Sequence, residues 1–234
     1  MKLLITPLRA LFRLLFWLTP QRMHIPLRYR LTALEGGLEP ELRYLDRMAP
    51  KGGTALDIGA NIGIFSYRLS GIAQRVVSFE INDDLLAELQ AWNPGNIEVV
   101  AKGLSSEAHE ATLYIPVLNG KKLVGWASLA PGNCPDTSEH VTKRVETVTL
   151  DSLALHNITF IKIDVEGHEL EVLRGATETL RANRPVMMIE IRERNLTPVR
   201  ELLDGLGYAE TTMKALTGHE GSEGNYFFTP GETA

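Results

Sequence analysis

Asp57, Gly59, Asn61 and Gly63 recur at a spacing of two within Thr54-Ala55-Leu56-Asp57-Ile58-Gly59-Ala60-Asn61-Ile62-Gly63-Ile64-Phe65-Ser66. The apolar run before the acid is too short for a helix and is bounded by Gly52-Gly53, so it reads as a buried strand. After Gly63, the positions Ile64, Phe65, Tyr67, Arg68 and Leu69 have helical spacing. A strand, a glycine turn and a helix in that order leave backbone N–H groups free at the strand's carboxyl edge, where a ligand can bind. The dinucleotide fingerprint G-x-G-x-x-G would need glycine at 59, 61 and 64, but Asn61 and Ile64 stand at two of those places. A side chain at the second position obstructs a pyrophosphate, whereas asparagine tolerates left-handed backbone nearly as glycine does. No G-x-x-x-x-G-K-[ST] phosphate loop occurs in the chain. The turn therefore suits a nucleoside-type ligand without phosphates.

The second chemistry-bearing stretch is Phe160-Ile161-Lys162-Ile163-Asp164-Val165-Glu166-Gly167-His168-Glu169. Read as a strand from Ile158 to Val165, its alternation turns Lys162, Asp164 and Glu166 to one side and Ile161, Ile163 and Val165 to the other. Charges along an apolar strand are costly unless paired or used. Lys162 is expected to form a salt bridge that ties the strand to a neighbour. Asp164 and Glu166, at the carboxyl end, are expected to serve function. A carboxylate or imidazole there could serve as a general base, with Asp164 first, then Glu166, His168 and Glu190. Two acids on separate strands, Asp164 and Glu190, are too few to indicate a metal, and none is expected. Glu169 is read as complementing a helix dipole.

The elements that would hold these residues alternate along the chain. Leu38, Leu42 and Leu45 recur at helical spacing up to Met48, and Pro50-Lys51-Gly52-Gly53 ends that helix. Arg75 to Ile81 reads as a second buried strand, with Glu80 some twenty residues beyond Asp57. Asp83 and Asp84 open a helix to Trp92, and Ile97 to Lys102 is a third strand. Between Gly103 and Asn157 the pattern changes. Thr112–Ile115 and Lys143–Thr149 look like antiparallel strands around a polar loop that holds Trp126, Ser128 and Cys134. Alternation resumes with the Ile158 strand, a helix to Leu180, the strand Val186–Ile191, and a helix started by Thr197 as cap and Pro198 as first residue. Gly207–Met213 and Asn225–Thr229 read as paired strands. This is an α/β chain with a mainly parallel sheet covered on both faces.

With 234 residues and 44% hydrophobic content, one core is the default. The domain reading is a basic, apolar segment over residues 1–37 and one domain over 38–234, with an inserted substrate-side segment at about 103–157. A single cysteine, Cys134, rules out an internal disulfide and fits a reducing, cytoplasmic compartment. The net charge of −5 argues against general nucleic-acid binding. Before Glu35 there is no acid, while Lys2, Arg9, Arg13, Arg22, Arg28 and Arg30 are basic. Pro7, Arg9 and Arg13 interrupt the apolar residues there, which makes the segment too short and too charged for a membrane span. Residues 1–22 suit a helix lying on an anionic membrane surface, one packed on the protein's own core, or one forming a homodimer.

Taken together, the motifs resemble the FkbM family of S-adenosylmethionine-dependent methyltransferases. The matching pieces are Leu56 to Gly63, Phe79-Glu80, Thr149-Leu150-Asp151-Ser152-Leu153, the K-x-D-x-E-G-x-E pattern from Ile161 to Glu169, and Leu173-Arg174-Gly175-Ala176. The resemblance implies a Rossmann-like, seven-stranded sheet ending in an antiparallel hairpin, with S-adenosyl-L-methionine as cofactor. By that analogy Gly59, Ala60 and Gly63 approach the methionine part and Glu80 accepts from the ribose hydroxyls, with Asp57, Asn61, Phe79 and Ile81 also among the implied cofactor-binding residues. Gly103, Leu104 and Ser105 would lie near the adenine, and Asp164 beside both cofactor and acceptor. Characterised members of the family mostly methylate hydroxyl oxygens of sugars and secondary metabolites, so a small hydroxylated acceptor is implied. A cofactor-binding module without catalysis, serving as a membrane adaptor, is the competing reading. A nucleotide-dependent oxidoreductase is disfavoured by the residues at 61 and 64. A valine at Gly59 is expected to block the cofactor while leaving the domain folded.

Overall fold

The structure is a computed structural model that describes residues 15–130 and 139–231. Arg9, Arg13 and Cys134, which figure in the sequence reading, lie outside the described residues. In chain order the strands are β1 (Thr54–Ile58), β2 (Arg75–Phe79), β3 (Ile97–Val100), β4 (Gly103–Leu104), β5 (His109–Leu118) and β6 (Lys121–Lys122). They continue with β7 (Glu139–Val148), β8 (Ile158–Ile163), β9 (Val186–Glu190), β10 (Tyr208–Thr211) and β11 (Asn225–Pro230). The seven-stranded sheet has the order β10-β11-β9-β8-β1-β2-β3. All its pairs are parallel except those of β11, which runs antiparallel to both β9 and β10. The chain leaves β1 towards β2 on one side and returns to β8 on the other. The crevice at the carboxyl ends of β1 and β8 is thus the switch point of the sheet.

Strands apolar on both faces need cover on both. Leu56, Ile58, Ile161, Ile163 and Ile189 face the helices Glu169–Arg174, Thr177–Asn183 and Glu193–Gly205. Ala55, Val76, Phe160 and Met188 face the helices Pro40–Met48 and Ile64–Ser70. The helix Pro40–Met48 begins with its proline in the first turn, where a missing N–H costs nothing, and buries Leu42, Leu45 and Met48. The helix Asp83–Ala91 is capped by Asn82, whose side chain accepts from the Asp84 N–H. The helix His24–Leu34 packs through Ile25 onto Ala60, Leu89 and Trp92.

Several boundaries differ from the sequence reading, each for a local reason. The parallel strands stop one or two residues early, at Phe79, Val100, Ile163 and Glu190, because the backbone beyond them turns into the site. The helix expected to start at Thr197-Pro198 begins at Glu193 and carries Pro198 inside it. The expected strand Gly207–Met213 ends at Thr211, and Thr212 caps the helix Met213–Thr217 by accepting from Ala215 N–H. The segment 103–157 holds a second, four-stranded sheet, β4-β7-β5-β6. In its antiparallel β5–β7 ribbon, β5 extends beyond the expected Thr112–Ile115 at both ends, and β7 begins four residues before the expected Lys143 and ends at Val148.

Candidate active site

The glycine turn adopts the backbone its residue types permit: Gly59, Asn61 and Gly63 have φ of 77°, 51° and 80°. Its N–H groups are not left free, as the sequence suggested. Gly59 and Ala60 both donate to the Phe79 carbonyl, at 3.0 and 2.9 Å. Asn61 N–H donates to Glu80 Oε2 at 2.8 Å, and the N–H groups of Ile81 and Asn82 donate to Oε1 at the same distance. Glu80 is buried, which raises its pKa against the lowering by those three donors. A carboxylate offers about four lone-pair positions. Three are occupied, and the remaining one, on Oε2, can accept from a hydroxyl.

Beneath the turn lies a charged pair. In the sheet register Asp57 is opposite Lys162. The Lys162 ammonium is buried 3.0 Å from the Gly59 carbonyl, 3.5 Å from Asp57 Oδ1 and 3.2 Å from Asp164 Oδ2. Burial pulls its pKa down, but the charges of Asp164 and Asp57 outweigh that and raise it above the ordinary lysine value. The salt-bridge reading of Lys162 therefore holds. Asp57, expected at the cofactor, is 0% exposed and takes the Ser66 hydroxyl on Oδ2 at 2.6 Å. Its Oδ1 accepts no hydrogen bond and is compensated by the ammonium alone. Asp57 thus shapes the turn from below without reaching the cavity, because side-chain alternation sends it to the face of the helix Ile64–Ser70.

The expectation for Gly59 needs correction. A Cβ built there would lie 1.8 Å from the Asp164 carbonyl oxygen. Any side chain at Gly59 would push apart the ends of β1 and β8, besides straining left-handed backbone. Gly59→Val is expected to destabilise the domain by on the order of 3 kcal/mol, visible in thermal unfolding without cofactor. An unchanged melting temperature would restore the simpler view of a blocked cofactor path.

Two cavities meet at Asn61 and Asp164, which line both. The first lies between Gly59, Phe79, Glu80, Gly103 and Leu104 on one wall and Val165, Glu166 and His168 on another. The second lies between Ala60, Lys162 and the residues Thr32, Leu38 and Glu39. Ile81 lines the first cavity. Gly63 faces Leu89 and Ile25 instead, where a Cβ would come within 2.6 and 3.0 Å. Ser105 is buried, with its hydroxyl 3.0 Å from His168 Nε2. That contact engages the ring nitrogen, and burial holds the His168 pKa below its usual value.

Asp164 shares a side with Lys162, as alternation requires, but Glu166 does not follow the pattern. The strand has ended, Glu166 has φ of 52°, and its carboxylate pairs with Arg192. Burial raises the Glu166 pKa and Arg192 lowers it. Glu190, half-buried at the end of β9, is pushed up to about 7 by burial and by the charges of Asp164 and Glu166. Glu169 does more than complement a dipole. It is buried, accepts from Gly167 N–H, and takes Asn195 Nδ2 at 2.7 Å. Among the described residues, no group of three or more His, Cys, Asp or Glu side chains is placed to hold a metal ion.

Sequence reasoning missed the parts that arrive by tertiary contact. Arg192 and Asn195 come from the start of the helix Glu193–Gly205 and its cap, and fasten Glu166, Gly167 and Glu169. The inserted segment supplies Val124, Gly125, Ala127 and Leu129 to the first cavity. Ser128 anchors that segment by donating to the Glu166 carbonyl at 2.7 Å. The sequence singled out Trp126 and Ser128 only as members of a long polar loop, without their partners.

A mainly parallel sheet with an antiparallel last strand, and a cavity at its switch point floored by a glycine turn and the acid that follows β2, defines a Rossmann-like fold with a ligand site at the carboxyl ends of its strands. Residues 57–209 match the methyltransferase FkbM domain, and the chain belongs to that family. It is 29% identical over 153 residues to the hexuronic acid methyltransferase AglP of Haloferax volcanii, covering 62% of this chain and 59% of that protein. The crystal structure of methyltransferase FkbM from Methylobacillus flagellatus KT superposes with a TM-score of 0.53 at 18% identity. That match covers 76% of this chain and 43% of the other. The chain thus spans less than two-thirds of the length of either protein. Among the described residues, no helix is long and apolar enough to cross a membrane.

Proposed function

We propose that this methyltransferase uses S-adenosyl-L-methionine to methylate a hydroxyl oxygen of a sugar. The observation that carries the reading is the meeting of two cavities at Asn61 and Asp164, beside a buried carboxylate with one acceptor position to spare. The residues fit the cofactor. Glu80 can accept from a ribose hydroxyl through Oε2, Phe79, Ile81 and Leu104 offer an apolar slot for the base, and Asn61 lies between that slot and the second cavity. The sugar acceptor is supported by the name of the similar Haloferax protein.

When bound, the cofactor supplies a methyl group on a sulfonium, which passes to oxygen by in-line displacement. The protein's part is to align the acceptor and receive its proton. Lys162 holds Asp164 Oδ2, which leaves Oδ1 to orient the hydroxyl. Holding the reacting atoms in line converts an encounter into a local step. The proton passes to the carboxylates at the ends of β8 and β9. Asp164, which lines both cavities, is the group placed to accept that proton, and Glu190, pushed up to about 7 by burial and by the charges of Asp164 and Glu166, is coupled to it from outside the cavity linings. The C–S bond breaks as the C–O bond forms, giving a methyl ether and the demethylated thioether.

The test supplies methyl-labelled S-adenosylmethionine with sugars, including hexuronic acids and their glycosides, and follows the label by mass spectrometry. Label that survives mild base marks an ether, as expected. Label lost to base marks a methyl ester and would move the chemistry to a carboxylate acceptor. Absence of transfer to any hydroxylated sugar would defeat the acceptor assignment.

A further inference from the structure

An exposed apolar group lies near the amino-terminal end of the described residues, at Trp17, Leu18 and Met23. Trp17 is 80% and Leu18 62% exposed, with Met23 also exposed and Arg22 beside them. Residues 15–18 are helical and are fastened to the domain. The Phe16 ring lies 5.2 Å from the His24 ring, and the Arg28 guanidinium sits over it at 5.0 Å. His24 Nε2 is 3.0 Å from the Phe16 carbonyl and 3.2 Å from that of Thr19. Arg28 in turn pairs with Glu88 at 2.8 Å, on the helix Asp83–Ala91. The neighbouring residues are thus held while Trp17 and Leu18 are left to solvent.

Charge indicates what covers them. Residues 1–34 carry six basic and no acidic side chains, whereas the other two hundred residues carry eighteen basic and twenty-nine acidic ones, a net −11. A body with that charge is repelled from an anionic surface except at this end. Tryptophan favours the membrane interface, and arginine reaches from apolar surroundings to the headgroups. We propose that Trp17, Leu18 and Met23, with Arg22, form a docking face for an anionic lipid bilayer. The orientation has a consequence for the site. The helix His24–Leu34 starts just after this face, and its residue Thr32 lines the second cavity with Gly37 and Leu38. From His24 to Thr32 the helix rises about 12 Å, which sets the separation between this face and the lining of the second cavity. The proposal is independent of the acceptor's identity.

The test is co-sedimentation of the full chain with vesicles of phosphatidylglycerol and phosphatidylcholine, against vesicles of phosphatidylcholine alone. Wild-type protein should favour the anionic vesicles, and high salt should release it. The double variant Trp17→Ala/Leu18→Ala and the charge reversal Arg22→Glu should each lower partitioning by about tenfold or more. All three sites are exposed, so circular dichroism and melting temperature should not change. Equal sedimentation with neutral and anionic vesicles, or variants that bind as wild type does, would overturn the proposal. Light scattering that shows a dimer which the double variant dissolves, without vesicle binding, would assign the face to a second copy of the chain and overturn it equally.

Discussion

Replacing Asp164 by asparagine is expected to lower turnover by about 10²–10⁴-fold while leaving cofactor affinity nearly unchanged. Asp164 lines both cavities at their junction, and Lys162 fixes one of its oxygens. The amide keeps the shape but loses the capacity to accept a proton. Stability should fall little, because Lys162 keeps Asp57 and the Gly59 carbonyl as partners. The pH profile gives a second readout. Glu190 is held up to about 7 by burial and by the negative charges of Asp164 and Glu166. In wild-type enzyme, activity should therefore rise with pH through about 7 as Glu190 loses its proton. Removing the Asp164 charge lowers the Glu190 pKa, so the residual activity should rise at a lower pH. Turnover equal to wild type in a folded variant would remove Asp164 from the chemistry. An unmoved pH profile would separate Glu190 from it.

The second large effect is on stability. Lys162→Met should cost about 3–5 kcal/mol, the usual penalty for stripping one partner from a buried ion pair. The loss leaves Asp57 fully buried, with Oδ1 facing no hydrogen bond and no cation. It should appear as a shift in the midpoint of chemical denaturation with little change in slope. The sign of the pH dependence follows from the raised lysine pKa. The stabilisation is complete below the unfolded lysine value of about 10.4 and fades only as pH rises through the higher folded value. Neutral and mildly alkaline buffers should thus give the same difference between wild type and variant. The double variant Asp57→Leu/Lys162→Met, which removes both buried charges, should recover much of the loss. A Lys162→Met protein as stable as wild type would show that Asp57 finds other compensation.

Much of this architecture was readable because it depends on local pattern. The buried run of β1, the glycine turn and the acid after β2 are each fixed by a few adjacent residues. The positions of Gly59, Asn61 and Glu80 follow directly from them. The alternation rule carried Lys162 and Asp164 correctly and then failed at Glu166, because it holds only while the chain remains a strand. Nothing in the local sequence announces that Ile163 is the last paired residue. Asp57 was misread for a related reason. Its type suggested a ligand contact, but its face of the strand decides its partner, and that face meets Ser66 and Lys162. Pro198 misled by a rule that is sound for helix starts but does not exclude a proline a turn and a half inside. The least legible feature was the use of Gly59. Its need for left-handed backbone was visible, whereas the approach of a carbonyl from a residue more than a hundred positions away was not.

The long detour between β3 and β8 also bears on how the molecule reaches its native state. β1, β2 and β3 are close in sequence, so their pairing closes only short loops. The other flank of β1 waits for β8, and the contact between Lys162 and Gly59 spans 103 residues. Until that strand is synthesised, β1 presents an unpaired apolar edge, the kind of surface that invites association between nascent chains. The β5–β7 ribbon eases the delay. By pairing with itself from His109–Thr147 to Val117–Glu139, it takes up most of the intervening chain. What remains to be closed is a short effective loop, whose entropic cost grows only with the logarithm of its length. The inserted segment that walls the cavity thus also shortens the effective loop that joins β8 to the edge of β1.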